Sequence, residues 1–304
     1  MPMSDLPHPS TGYVIDVESP AETARLMKQD RLLTECMGGV FPEGVDLSTS
    51  TAILDLACGP GGWALDVAFA YPHIHVVGVD ISRTTIEYAR ARALTQGLDN
   101  ATFKVMDVTR PLEFPDARFD LVNARLLVSV FTTDDWLPLL RECVRVTRPG
   151  GLIRLTECER SISTSPALED LTALGALALK MAGHSFSPDG RTLGITPVLA
   201  RLLREAGCQQ VGRMAHVIDY SVDTSIHRAM SDNALVAWLL VEPFLLKMGV
   251  ITSEAFKERY QQMFVEMLAD DFCALWYYLT VWGTTPRTAS GEADEAHEAD
   301  RLQP

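Results

Sequence analysis

The segment from Thr51 to Tyr71 constrains the fold most. An apolar run through Ala57 reads Ala-Ile-Leu-Asp-Leu-Ala and is expected to be a strand. Cys58-Gly59-Pro60-Gly61-Gly62 follows, and then a helical stretch from about Trp63 to Tyr71. Glycines between a strand and a helix let backbone approach a ligand closely. The helix start offers it free N–H groups and a positive dipole end. Gly59-x-Gly61-x-x-Ala64 satisfies the relaxed fingerprint GxGxxG/A, and Asp80 follows about 20 residues on, where an acid can bind ribose hydroxyls.

The pattern around this turn alternates. Ser19 to Met37 reads as a helix, with Pro20 at its first position and Gly38-Gly39 as its stop. His75 to Asp80, Thr102 to Met106, Phe119 to Asn123 and Leu152 to Thr156 read as further strands. Between them lie a helix capped by Ser82 and ended by Gly97, and one capped by Thr133 or Asp134 that runs to about Val146. Such alternation predicts a mostly parallel sheet with helices on both faces. Pro166 to Met181 is helical by spacing, and Thr196-Pro197 is expected to open a helix ended by Gly207. Val211 to Tyr220 is a sixth strand. Helices over about Ile226 to Met248, bent at Glu242-Pro243, and Ser253 to Leu268 precede a seventh strand, Phe272 to Trp282. The division expected is an N-terminal helical segment over 1–48 and the main domain over 49–283. That domain carries helical insertions at about 160–195 and 221–271, and a disordered acidic tail spans 284–304.

Of the 304 residues, 47% are hydrophobic and 22% charged, which excludes wholesale disorder. The formal net charge of −14 repels a phosphate backbone, so no nucleic acid partner is expected. The longest unbroken apolar run, Ala234 to Val241, is far short of the roughly 20 residues of a membrane span, and the first residues have no basic-then-apolar leader pattern. The six cysteines form no CxxC and read as buried thiols of a reducing, cytoplasmic compartment. A three-cysteine thiol site, as in arsenite-methylating enzymes of a similar fold, is the alternative weighed against packing. The seven histidines contain no HxxH or HExxH, so no metal site is expected.

Three acids sharpen the glycine turn. Asp55 stands four residues before Gly59, Asp80 ends the second strand and Asp107 the third, with Val108 beside it. The span Asp55-Leu-Ala-Cys-Gly59-Pro-Gly61-Gly62 resembles the cofactor motif of class I S-adenosylmethionine-dependent methyltransferases. Phe119-Asp120-Leu121-Val122 and Arg141-Glu142-x-x-Arg145 through Pro149-Gly150-Gly151 look like that family's fourth strand and the turn into its fifth. The resemblance is closest to the small-molecule type of ubiquinone and menaquinone biosynthesis, over about residues 50 to 160. It implies an α/β, Rossmann-like, seven-stranded sheet with the last strand antiparallel, to which this chain adds helical lid insertions. It implies S-adenosylmethionine as cofactor. The residues it points to are Asp55, Ala57, Gly59 and Gly61 at the loop, Asp80 and Ile81 at the ribose, and Asp107 and Val108 at the adenine. Tyr13, Gln29, Gly39, Asn123 and Arg125 would close over the methionine end.

The activity expected is transfer of a methyl group to an O, N or C atom of a small, partly apolar molecule, with a homodimer as the one assembly left open. His184 follows the first inserted helix and is the candidate general base; the alternative is a solvated loop histidine. Trp238, Phe244, Phe256, Tyr260, Phe264, Trp276, Tyr277 and Trp282 are candidates for an apolar pocket, or simply for core. Rival functions are a non-methylating cyclisation or rearrangement on the same fold, a NAD-dependent oxidoreductase, and a non-catalytic subunit. Asp55 and Asp107 weigh against the oxidoreductase.

Overall fold

The structure, a computed structural model, describes residues 13–287. Strands β1 (Ala52–Leu56), β2 (His75–Asp80), β3 (Ala101–Val105), β4 (Phe119–Arg125) and β5 (Thr147–Cys158) pair in parallel in the order β3-β2-β1-β4-β5. Every residue of β1 is buried, as parallel strands covered on both faces require. Three strands complete the sheet: β6 (Ile162–Ser163), β7 (Gln209–Asp219) and β8 (Ala274–Thr284). β8 lies antiparallel between β5 and β7, and the two-residue β6 pairs with its start. The sheet therefore has the seven long strands expected, plus one short one that the sequence pattern does not signal.

Helices α1 (Pro20–Cys36), α2 (Gly62–Ala70), α3 (Arg83–Gln96), α4 (Trp136–Val146), α5 (Pro166–Met181), α6 (Leu199–Glu205), α7 (His227–Lys247) and α8 (Ser253–Glu266) surround it. Ile53, Val76 and Leu121 pack with Trp63, Leu65, Ile86 and Ala89 on one face. Leu54, Val79, Val122 and Leu155 pack with Leu139, Leu140 and Leu203 on the other. Ser19, Ser82, Ser165 and Thr252 cap four of these helices through their hydroxyls.

Several boundaries differ from expectation. The N-cap of α4 is Asp135, not Thr133 or Asp134, and its carboxylate turns back to the Thr132 N–H at 3.1 Å. Thr196 does not open α6, because its N–H and hydroxyl are both bonded to Glu159, at 3.3 and 2.9 Å. α7 continues through Pro243. β8 runs to Thr284, and the Thr285 N–H donates to the Gly151 carbonyl at 2.8 Å, so ordered chain extends past the expected boundary at 283. The expectations for residues 1–12 and for the acidic tail past 287 lie outside the described residues. Cys273 is exposed and Cys36 and Cys58 half-buried, so only Cys143, Cys158 and Cys208 fit the buried-thiol reading. Among the described residues α7 is the one helix long and apolar enough, by length and composition, to cross a bilayer. It packs on α1, α5 and α8, and its Asn233 points at polar groups of α1.

Candidate functional site

A cavity of about 420 Å³ opens at the carboxyl ends of β1, β2, β4 and β5, where open α/β sheets bind ligands. The backbone at its rim is unusual. Ala57 after β1 and Leu126 after β4 are non-glycine residues with positive φ, at 49° and 60°, and both line the cavity. Residues held in this sparsely populated region cluster at functional sites. Gly61 and Gly62 tighten the turn for different reasons. Gly61 has φ 74°, and a Cβ there would meet the Phe103 ring at 2.6 Å, so its role is packing of the loop on β3. A Cβ on Gly62 would meet the Asp30 carboxylate at 1.8 Å, so this glycine lets α1 seat an acid at the start of α2.

The three strand-end acids converge on the cavity. Asp55 accepts from the Asn123 side-chain amide at 2.7 Å, and Arg154 in turn donates to the Asn123 carbonyl oxygen at 2.9 Å. Arg154 is paired with the buried Glu43. Burial pushes the Asp55 carboxyl up to about 7, against the pull of the Arg125 guanidinium and the Asn123 hydrogen bond. Asp80 accepts from the N–H groups of Gly59 and Ser82, both at 2.9 Å, and burial raises its carboxyl too. Asp107 accepts from the Thr109 N–H at 3.0 Å and pairs with Arg110 at 3.2 Å.

A second polar group joins α1 to α7. The Arg25 guanidinium grips Glu22 at 2.6 and 2.7 Å, donates to Gln29 at 2.5 Å and reaches Asn233 at 3.4 Å. The Tyr13 hydroxyl donates to Glu22 at 2.6 Å. All five residues line the cavity. On the wall opposite the glycine turn lie Cys158, Tyr220, Trp276 and Tyr278, under Thr172 and Gly175 of α5 and Ala237, Trp238 and Phe244 of α7. Burial pushes the Tyr220 hydroxyl up to about 12. The Tyr278 hydroxyl is buried without a hydrogen-bond partner, an arrangement that costs about 1–3 kcal/mol unless a ligand relieves it.

Of the site residues expected from sequence, Tyr13, Gln29, Asp55, Ala57, Gly59, Asp80, Ile81, Asp107, Val108 and Arg125 line this one cavity. Gly39, Gly61, Asn123 and His184 do not. Gly39 closes the end of α1, its N–H bonded to the Thr34 carbonyl at 2.8 Å. Asn123 is fully buried behind Asp55, which it orients. His184 is neither a solvated loop residue nor a wall residue. It is 5% exposed, its Nδ1 is buried without a hydrogen-bond partner, and burial disfavours charge on its ring. Of the aromatic candidates, Trp238, Phe244 and Trp276 line the cavity, Phe256, Tyr260, Tyr277 and Trp282 lie elsewhere, and Phe264 is exposed. α8 contributes no wall residue.

The sequence reading missed Glu22, Arg25, Asp30, Glu159, Asn233 and Tyr278. A signal for the α1 set existed: Glu22, Arg25, Leu26, Gln29, Asp30, Leu33 and Met37 recur at helical spacing on one face, a polar-apolar mixture that a cavity wall tolerates and a core does not.

Residues 53–151 match the methyltransferase domain family. The chain is 34% identical over 135 residues to 27-O-demethylrifamycin SV methyltransferase of Amycolatopsis mediterranei, which covers 44% of this chain and 47% of that one. It is 34% identical over 119 residues to demethylmenaquinone methyltransferase of Lactococcus lactis, covering 39% and 45%. The chain thus spans about half the length of these curated relatives. In fold it is similar to phosphoethanolamine N-methyltransferase 2 of Haemonchus contortus, with a TM-score of 0.51 at 17% identity over 88% of this chain and 57% of that one.

Proposed function

We propose that this chain, whose residues 53–151 are a class I methyltransferase domain, uses S-adenosylmethionine to methylate an O, N or C atom of a small, partly apolar molecule. The observation that carries the reading is the convergence of Asp55, Asp80 and Asp107 on one wall, with the Gly59 loop between them. The donor set suits the cofactor. Asp80 has the strand-end position from which a carboxylate accepts from a ribose diol, Ile81 and Val108 are apolar flanks for a purine, and Asp107 can accept from an amine at its edge. Asp55 and Asp30 can face the ammonium of the methionine end. Among the described residues six acids line the cavity (Glu22, Asp30, Asp55, Asp80, Asp107 and Glu159) against the three arginines Arg25, Arg125 and Arg160, a balance that favours a cationic ligand.

S-adenosylmethionine supplies a methyl group already activated on a sulfonium. The protein's contribution is then orientation and exclusion of water. α1, α5 and α7 wall off the acceptor side, and Glu159 fastens the loop after α5 by accepting from the N–H groups of Leu193 and Gly194 at 2.9 and 3.0 Å. Among the described residues no histidine or lysine lines the cavity, so the groups there that can take the acceptor's proton, where one must be taken, are carboxylates, tyrosines, cysteines or water.

The test is incubation with methyl-labelled S-adenosylmethionine and an organic extract of small metabolites. Label in an extractable product, with equal release of S-adenosylhomocysteine, is expected. Conversion of extract components while the label stays on sulfur would replace this reading with a non-methylating reaction.

A further inference from the structure

The composition of α7 and its surroundings disagree. The helix is apolar enough to cross a bilayer, yet of its 21 residues only Met230, Ser231, Asn233 and Leu245 are buried. One side is accounted for. Ala237, Trp238, Val241 and Phe244 line the cavity, and α1, α5 and α8 pack around the helix. The other side is not. Val236 is 37% and Leu239 49% exposed, Pro243 is exposed, and Leu240 is half-buried beside them. At 3.6 residues per turn these four, with Asp232 before them and Lys247 after them, fall within an arc of about 100°. The outward arc of a surface helix ordinarily carries polar and charged residues along its length. This one carries charge only at its two ends.

The order of those six residues makes the arc its own complement. Two copies of α7 laid antiparallel about a point between Leu239 and Leu240 set Asp232 against the partner's Lys247. They also set Val236 against the partner's Pro243 and Leu239 against the partner's Leu240. A two-fold axis forms each of these pairings twice. A parallel pairing would instead bring Asp232 to Asp232 and Lys247 to Lys247. Both charged side chains are exposed and, among the described residues, neither has an ion-pair or hydrogen-bond partner within the chain. Each is therefore available to pair across the axis.

We propose that this face of α7 is an interface with a second copy of the chain, packed antiparallel about Leu239 and Leu240. The apolar centre of the arc is then covered and the charges at its ends are paired. The contact closes on itself, as a two-fold contact does, and leaves no further site for a third copy. α7 becomes a partition one helix thick, with the cavity on its inner side and the partner on its outer side. The second copy backs the cavity wall without contributing a residue to it, so the contact is independent of what the cavity binds. From Asp232 to Lys247 the helix spans about 23 Å. A contact of that length falls at the small end of specific interfaces, below about 1,200 Å², and the dimer is accordingly reversible.

Sedimentation velocity of the full chain, from about 1 to 100 µM, tests it. The expected result is a monomer–dimer equilibrium with its midpoint in that range. Leu239→Glu changes an exposed side chain, so the dilute variant should melt as the dilute wild type does, while its dimerisation weakens by at least about tenfold. Asp232→Lys and Lys247→Asp should each weaken the dimer by about threefold to tenfold. The double variant, Asp232→Lys with Lys247→Asp, restores both pairings in the opposite sense and should return towards the wild type. A substitution that acted only on the folding of one chain would show no such rescue. A wild type that is monomeric throughout, or a dimer that Leu239→Glu leaves intact, overturns the proposal. A double variant no stronger than its singles overturns the antiparallel pairing on which it stands.

Discussion

At the scale of single residues, Asp55 carries the clearest electrostatic consequence. Burial lifts its carboxyl from the usual range to about 7, so in the free protein it holds a proton through mildly acidic pH. A methionyl ammonium beside it favours the ionised form, so binding at pH 6 to 6.5 should expel up to one proton. Calorimetry of S-adenosylhomocysteine in buffers of differing ionisation enthalpy should detect that release in the wild type and lose it in Asp55→Asn. Equal proton counts in the two proteins would remove Asp55 from the cofactor's charged end. The sign for stability is opposite to that of a paired surface acid. The unfolded carboxyl titrates near 4 and the native one near 7, so the stabilising effect of the neutral form is complete below about pH 4 and lost as pH rises through 7. Asp55→Asn should flatten that fall in a melting series. Gly61 makes a purely structural prediction. Gly61→Ala forces a Cβ to within 2.6 Å of the Phe103 ring at a positive φ, and should cost about 1–3 kcal/mol in urea unfolding. An unchanged midpoint would mean that the loop and ring shift freely.

At the scale of elements, the helices above the sheet differ in kind. α5 and α7 present wall residues, whereas α8 braces them from outside, with Glu266 accepting from the Ser165 hydroxyl and the Ala167 N–H at 2.6 and 3.0 Å. Amide hydrogen exchange should slow in α1, α5 and α7 when S-adenosylhomocysteine and an acceptor bind, with little change in α8. Equal protection with and without ligands would make α5 and α7 fixed scaffold. The sheet was legible in the sequence because its signals are local: apolar runs, a serine cap before α3, glycines closing α1 and α3. The acid-bearing wall was legible because Asp80 ends β2 and Asp55 and Asp107 stand within two residues of the ends of β1 and β3. Long-range pairing decided the rest. Thr196 looks like a cap until Glu159, far away in sequence, takes its donors. His184 reads as a solvated loop residue, and the fold buries it to 5% exposure. Arg25 and Glu22 look like a surface pair one helical turn apart, and only the packing of α7 on α1 makes them a buried one. Tyr278 is one aromatic among several in β8, and nothing local marks its hydroxyl as buried without a partner.

At the scale of the whole molecule, one cavity runs from the strand-end acids to the aromatic wall of β8. A chain that binds a sulfonium nucleoside at one end and a methyl acceptor at the other needs such a continuous space, because reacting atoms must meet within about 3–3.5 Å. The central claim is that the acids of β1, β2 and β3 hold the cofactor. The most direct measurement is calorimetric titration of S-adenosylhomocysteine into the wild type and into Asp80→Ala, with melting temperatures showing that both are folded. A carboxylate that accepts from both ribose hydroxyls contributes about 1.5–3 kcal/mol, so the variant should bind about tenfold to a hundredfold more weakly. No binding by the folded wild type, or an unchanged constant in the folded variant, would contradict the claim.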